Sequence, residues 1–395
     1  MKKNILFVMN NLVCGGAEKA LLSLLQCFDY NKYNVDLFLF KHDGIFLKKL
    51  PREVHLLPEP EHYQYFDMPV KDAATSLLKK RKFDILFYRL MLGYFSKKER
   101  NGAVVEQKLW KYLSKAVGTP SKQYDVAIGF QEKNPIYFCV DNVTAKKKIG
   151  WIHTDYNKLG IDFKRESFYF QTLGDIVTVS EDLVRLLQQA FPNQHQKFTY
   201  IHNVVSVDMI RNMAKECINL PATKGTTLVS VGRLAKEKGL ELSLQAVDLL
   251  VKKGYHIIWY VIGEGNMRSY LENEIAIRDL HNHIKLLGLQ ENPYPYIKAA
   301  DIYIQTSRYE GKSISIDEAK ILQKPIVITN FETAKDHIDD GKNGLIADMN
   351  AHDVAEKIEQ FIQDQEMRKL VIHNLSEEQL GTEAEVQKLY EIIER

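Results

Sequence analysis

The chain is predicted to be an α/β protein made of βα units with parallel sheets, and three observations lead there. The first is Asn4–Asn10 (NILFVMN), an apolar run closed by Gly15-Gly16 and followed by apolar residues at helical spacing over Ala17–Phe28. The second is that the same pattern starts afresh at Thr227–Val231 and continues as a helix over Leu240–Lys252. The third is Asp301–Asn330, which reads strand, loop, helix, strand. Asp301–Thr306 is β-rich, 307–312 is a polar loop, and Ser313–Gln323 carries Ile314, Ile316, Ala319, Ile321 and Leu322 at helical spacing. Pro325 stops that helix and opens the strand Ile326–Thr329. A βαβ unit of this kind places its first loop at the carboxyl edge of a parallel sheet, where open α/β folds bind ligands.

In chain order, Val35–Phe40 and Val54–Leu57 are the next strands, and Glu59–Met68 is an aperiodic loop. Residues 71–118 read as helical, with basic clusters at 79–82 and 97–100 around an apolar, aromatic run from Phe83 to Phe95. That run either faces a core with a solvated basic side, or lies on an anionic membrane. Tyr124–Phe130 and Lys148–Ile152 are strands, and the second delivers His153 and Asp155 to a carboxyl edge. Asp175–Val179 is a strand and Ser180–Phe191 a helix with Ser180 as its N-cap. An interdomain crossing is expected near residue 206, which divides the chain into domains 1–205 and 206–375 with a closing segment 376–395. In the second half, Ile257–Ile262 and Ile284–Leu287 are strands around the helix Met267–Leu280, and His352–Gln363 and Glu383–Arg395 are amphipathic helices.

Two carboxylates mark the third of those units, Glu310 in its loop and Glu318 in its helix. Eight residues at helical rise span about 12 Å, the reach from sugar to ribose in a nucleotide sugar. Between them, the first N–H groups of the helix, at Ser313, Ile314 and Ser315, favour a phosphate. The plainer alternative makes Glu310 a loop residue and Glu318 part of a solvated helix face. Upstream, the loop after Val231 offers Gly232, Arg233, Lys236, Lys238 and Gly239, a set suited to neutralising a departing diphosphate or simply to solvation. Gly15-Gly16 lets backbone approach a ligand or makes a tight turn. It is not G-x-G-x-x-G, which disfavours nicotinamide and flavin cofactors.

These segments resemble a known family. YEGKSISIDEAKILQKPIVITN is similar to the E-x7-E signature of family 4 retaining glycosyltransferases, which falls on Glu310 and Glu318. Lys312 and Ser313 stand where the family usually has Phe and a small residue. GRLAKEKGL resembles the family's G-R-L-x-x-x-K-G-x segment, and Gly263-Glu264-Gly265 its G-[DE]-G turn. G-x-N-G recurs at 341–344, and KFTYIHNVV matches V-I-x-N-G-V-D in part, at Ile201, Asn203 and Val204. The resemblance implies the GT-B fold, two Rossmann-like domains facing each other across a cleft, with the final helix packing back on the first. It implies that Gly232, Arg233 and Lys238 meet donor phosphate, with Gly311, Lys312, Ser313, Ile314 and Ser315 beside them. Glu310 would bind sugar hydroxyls, Glu318 the ribose, and Gly263 and the backbone of Leu289 and Gln290 the nucleoside. Gly15 and Gly16 open a GGAE segment that family members building surface polysaccharides also have, facing donor phosphate or acceptor. His153 would lie near the reacting sugar, and Asp155 would orient it or touch the acceptor. The catalytic set is then Glu310, His153, Arg233 and Lys238.

The implied reaction moves a sugar from a nucleotide diphosphate donor, with uridine the expected base, to a hydroxyl of a glycan or lipid-linked acceptor, with retention. The implied setting is bacterial surface polysaccharide or glycoconjugate synthesis. No D-x-D pair occurs, so no metal or other cofactor is expected, the cations and helix start taking that role. Two rivals are a sugar-nucleotide 2-epimerase of the same fold and a non-catalytic partner subunit of a glycosyltransferase complex.

Composition sets the outer bounds. With 395 residues, 45% hydrophobic and 26% charged, the chain suits two large globular domains. Residues 1–200 hold 30 Lys/Arg against 21 Asp/Glu, a charge of +9, while 201–395 hold 23 against 30, a charge of −7. The basic half is expected to meet an anionic surface or substrate; no aromatic–basic RNA motif accompanies it, so nucleic acid is not expected. Four scattered cysteines without C-x-x-C indicate a reducing compartment. The apolar run after Lys2-Lys3 is too short for a signal peptide, and Arg89 breaks the best membrane-span candidate, Ile85–Phe95. The expected location is the cytoplasm, with the inner face of the membrane as an option. His281 and His283 lack a third ligand and are expected at the surface.

Overall fold

The computed structural model describes residues 2–13, 15–99, 101–218, 220, 225–310 and 313–395. The chain forms two compact units, Met1–Val204 with Thr382–Arg395, and Val205–Gly381. Residues 376–381 therefore lie with the second unit.

The first unit holds strands β1 (Lys3–Met9), β2 (Tyr33–Leu39), β3 (Val54–Leu56), β4 (Tyr124–Gly129), β5 (Ala145–Ile152), β6 (Asp175–Thr178) and β7 (Phe198–Tyr200). They form one sheet in the order β3-β2-β1-β4-β5-β6-β7, parallel throughout. The second unit holds β8 (Thr226–Val231), β9 (Ile257–Ile262), β10 (Ile284–Gly288), β11 (Ile302–Gln305), β12 (Ile326–Thr329) and β13 (Leu345–Ala347), ordered β10-β9-β8-β11-β12-β13 and also parallel. Each sheet reverses direction once, at β1/β4 and at β8/β11. This is the Rossmann-type winding, and it opens a crevice at the carboxyl ends of those strand pairs.

The strands are apolar on successive residues because both faces of each sheet are covered. Ile5, Phe7 and Met9 of β1 enter one core, while Leu6 and Val8 enter another on the opposite face. In β9, Trp259 and Val261 likewise part from Tyr260 and Ile262. The last helix, Glu385–Glu394, packs on the first unit through Val386, Leu389, Tyr390, Ile392 and Ile393. Lys3 Nζ donates to Glu394 at 2.8 Å and Asp29 N–H to the Tyr390 hydroxyl at 2.7 Å, tying that helix to the amino ends of β1 and β2.

Some segments depart from the sequence reading. The helical stretch 71–118 is three helices, Val70–Lys79, Phe83–Lys98 and Gly102–Val117. The first break falls where Arg81 adopts a left-handed φ of 55°, and the second where Asn101 caps the third helix by accepting from Ala103 and Val104 N–H. The Ser180 cap is as expected, accepting from Leu183 N–H at 3.3 Å. The G-x-N-G segment is a turn, as expected, and it leads directly into β13, a strand the sequence reading did not include. Among the described residues no helix is long and apolar enough to cross a membrane, and Cys27, Cys139 and Cys217 form no disulfide.

Candidate active site

In the second unit the site grows from the β8/β11 switch point. The β8 loop closes through Gly239, whose φ of 56° and ψ of 28° are left-handed. A Cβ there would sit 2.1 Å from the Thr306 carbonyl oxygen, so only glycine allows the β8 and β11 loops to touch. Thr306 Oγ1 donates to Gly239 O at 2.8 Å and Arg308 N–H to Glu237 O at 2.8 Å, stitching the loops together. The result brings Lys238 against Glu310.

Glu310 is held by three donors on one oxygen. Its Oε1 accepts from Lys238 Nζ at 2.6 Å, Ser307 Oγ at 2.6 Å and Gln305 Nε2 at 2.9 Å. The Lys238 side chain passes over Gly232, where any side chain would meet its Cε at 3.7 Å. Gln305 also donates to Ser313 Oγ at 3.1 Å and accepts from Ser315 Oγ at 3.0 Å, so one amide ties Glu310 to the helix start. The helix Ile314–Ile321 begins at Ser313, whose N–H points to His337 Nε2 at 3.5 Å. Arg233 is different: its side chain is 70% exposed and paired with Glu237 at 2.6 Å, an arrangement that costs little to exchange for a stronger anion.

Glu318 does not lie on a solvated face. It is 1% exposed, with Oε1 accepting from the Tyr294 hydroxyl at 2.9 Å. Burial and that carboxylate push the Tyr294 hydroxyl pKa well up, so the phenol remains a donor. On the other side of β8, the turn after β9 packs closely on the β8 loop. Gly263 has φ of 141°, its N–H donates to Gly288 O, and a Cβ on it would lie 1.9 Å from Gly232 O. One strand further, Gln290 is fixed by donating to Leu287 O and accepting from Tyr296, with Leu289 43% exposed beside it. Gly232, Arg233, Lys238, Gly263, Leu289, Gln290, Glu310, Ser313, Ile314, Ser315 and Glu318 thus all fall on the carboxyl edge of one sheet or the helix that leaves it. Gly311 and Lys312 lie outside the described residues.

The first unit gathers a second group at its own switch point. Gly15 caps the helix Gly16–Gln26 after β1, and its lack of a side chain leaves room for the Glu18 carboxylate, 2.2 Å from where a Cβ would be. Burial raises the Glu18 pKa, and nearby Glu132 adds to the rise. Glu132 follows β4, is 7% exposed, and accepts from the His153 N–H at 3.2 Å. The His153 ring lies 5.0 Å from Phe130 and parallel to Trp151. Burial lowers its pKa to about 4 despite Glu132, so the imidazole is neutral near pH 7. Its Nε2 is sealed from solvent with no partner among the described residues. Asp155 is half-buried two residues on.

Sequence reasoning missed Gln305, Ser307 and Tyr294 in the second unit, and Glu18 and Glu132 in the first. Glu132 had a usable signal, since it follows a strand in the same way as His153 does. Gln305 reads as an ordinary strand end, and Tyr294 meets Glu318 only through tertiary packing.

Residues 215–377 match the family model described as glycosyl transferases group 1. The poly(ribitol-phosphate) alpha-N-acetylglucosaminyltransferase of Staphylococcus aureus is 30% identical over 134 residues, which is 33% of this chain and 27% of that protein. The chain spans about a quarter to two fifths of the length of the first curated relatives it matches. Among solved structures, a TarM mutant of S. aureus in complex with Fondaparinux, alpha-GlcNAc-glycerol and UDP superposes with a TM-score of 0.67 at 16% identity, covering 100% of both chains. Anabaena HepE in complex with UDP gives 0.63 at 15% identity, again over 100% of both chains.

Proposed function

We propose, for a GT-B chain whose residues 215–377 match the group 1 glycosyl transferases, that it is a retaining glycosyltransferase using a UDP-sugar. Its acceptor is a hydroxyl on a glycan or lipid-linked molecule of a bacterial surface polysaccharide or glycoconjugate pathway, with the first unit in peripheral contact with an anionic membrane. The observation that carries this reading is Glu310, half-buried and fixed by Lys238, Ser307 and Gln305 beside the start of the helix that bears Glu318.

The parts divide the work as follows. Neighbouring strands lie about 4.8 Å apart, so the edge from β10 to β11 covers about 14 Å, enough for a nucleoside diphosphate laid across it. Leu289 and Gln290 take the base, Gly263 the backbone approach near the nucleoside, and Glu318 the ribose, exchanging its Tyr294 partner. Lys238, Arg233 and the Ser313–Ser315 N–H groups take the diphosphate. Glu310 orients the sugar hydroxyls. Bond breaking from the anomeric carbon to phosphate oxygen and bond making to the acceptor oxygen occur on one face. The acceptor proton passes to the departing phosphate oxygen, whose growing charge the fixed cations hold. In the first unit, neutral His153 can accept or donate one hydrogen bond to sugar or acceptor without adding charge, Asp155 serves the acceptor, and the Gly15-Gly16 turn serves donor phosphate or acceptor. Arg233 and Lys238 supply the positive charge that a divalent metal would otherwise bring, so the reaction is proposed to be metal-independent.

The test is thermal-shift screening against UDP, GDP, ADP and their sugars with EDTA present. A ligand at about 100 times its Kd stabilises by about 2.7 kcal/mol, several degrees for a domain of this size. A shift with UDP that disappears in Lys238→Ala is expected. No shift with any nucleotide, or one that needs Mn²⁺, overturns the reading as drawn.

A further inference from the structure

The helix Phe83–Lys98 is apolar on two opposite sides. Ile85 and Arg89 are buried against the rest of the unit, with Arg89 donating to the Tyr65 and Met68 carbonyls at 2.7 and 2.8 Å. Phe83, Phe87, Leu90 and Tyr94 point the other way and are 63%, 53%, 49% and 53% exposed. At 100° per residue these four fall within a wedge of about 60°, a continuous stripe about 17 Å long. Val70 of the preceding helix, 39% exposed, borders it, its Cγ2 3.9 Å from where a side chain on Gly93 would begin. A helix apolar all round belongs in a core or in lipid, and a patch of large exposed apolar side chains marks an interaction surface.

The charge around the stripe selects the occupant. Lys79, Lys80, Arg81 and Lys82 are exposed at its amino end, and Lys98 is exposed at its carboxyl end, 3.3 Å from the Tyr94 hydroxyl. On the next helix, Lys111 and Lys115 are exposed and their ammonium groups lie over the Tyr112 and Tyr88 rings. Aromatic tips with lysines around them match the boundary of a bilayer, where rings enter the acyl edge and cations meet lipid phosphates. A protein partner would call for acidic residues placed against each cation, whereas a lipid surface supplies negative charge at every position. We infer that Phe83, Phe87, Leu90 and Tyr94, ringed by these cations, are the element by which the first unit docks on an anionic lipid surface. This deepens the membrane contact proposed above and rests on it, but it does not depend on nucleotide binding.

The test is flotation of the full chain with phosphatidylcholine vesicles, alone or mixed with phosphatidylglycerol. The chain is expected to float with the mixed vesicles, weakly with the neutral ones, and less as salt rises. Phe83→Ser/Phe87→Ser is expected to lose at least tenfold in partition, as is Lys79→Glu/Lys82→Glu, with circular dichroism unchanged because all four side chains are exposed. Equal partition into both vesicle types, or unchanged binding by both variants, overturns the inference. So does a dimer of the wild type that Phe83→Ser/Phe87→Ser dissolves in the absence of vesicle binding. The UDP thermal shift, run on the same variants, is expected to be kept. Its absence in the wild type counts against the transferase reading and leaves the docking result standing.

Discussion

Glu310 concentrates three donors on one carboxylate oxygen, which fixes its orientation before any ligand arrives. Glu310→Gln keeps a carbonyl for Ser307 and Lys238 while removing the charge. A hydrogen bond to a charged group contributes about 1.5–3 kcal/mol, so kcat/KM should fall about ten- to a hundredfold, read in steady-state donor turnover. An unchanged kcat/KM would remove Glu310 from the site. Two other residues contribute to the pH behaviour of the first unit with opposite signs. His153 has its pKa lowered to about 4, so the unfolded chain binds the extra proton between about pH 6.5 and 4, and stability falls as pH falls through that window. Glu166 has the opposite sign. Burial pushes its carboxyl pKa to about 8 although Gln107 donates to it, so its contribution is present in acid and is lost as pH rises from about 4.5 towards 8. Glu166→Gln, neutral at all pH and still able to accept from the Tyr137 hydroxyl and Gln107, should raise Tm at pH 8 more than at pH 5. A Tm gain equal at both pH values would sink that assignment.

At the scale of elements, the β8 and β11 loops are the part whose geometry decides the chemistry. Their contact rests on Gly239, and Gly239→Ala should cost more than the usual penalty of about 1–2 kcal/mol for a left-handed residue, because its Cβ would lie 2.1 Å from Thr306 O. Gly254 is the control, with φ of 93° and nothing within 4 Å of a Cβ. Gly254→Ala should lower Tm by a few degrees and keep the UDP shift, while Gly239→Ala should lower Tm further and lose the shift as Lys238 moves. Equal behaviour of the two variants would show that the loop contact does not position Lys238. This junction was half legible in the sequence. The Gly-Arg-Leu run and the Glu310–Glu318 spacing marked the two loops, since loop chemistry is local. The Glu318 alternative of a solvated face was wrong because which side of an eight-residue helix is buried depends on what packs on it, here Tyr294. Of the two breaks in 71–118, the first was hidden because left-handed Arg81 has no glycine to announce it, while Asn101-Gly102 at the second was a legible turn signal.

Across the whole molecule, the parallel winding was readable because both faces of each sheet are covered, leaving strands such as Ile5–Met9 without a polar face. The short edge strands Phe198–Tyr200 and Leu345–Ala347 escaped notice, having three residues each and pairing on one side only. What a chain of units cannot state locally is where its last segment returns. Helix Glu385–Glu394 closes the core beneath β1 and β2 with five buried apolar side chains, 391 residues from the lysine its Glu394 meets. Sealing that core with a segment that returns after the second unit makes the first unit depend on residues 382–395. Leu389, 0% exposed, is the sharpest probe, since a buried Leu→Ala costs about 2–5 kcal/mol. At about 2–4 °C per kcal/mol, Leu389→Ala should lower the unfolding temperature of the first unit by several degrees. The second unit, with a separate core, should keep its own transition and its UDP shift. Calorimetry that finds both transitions lowered together would mean that the two units unfold as one.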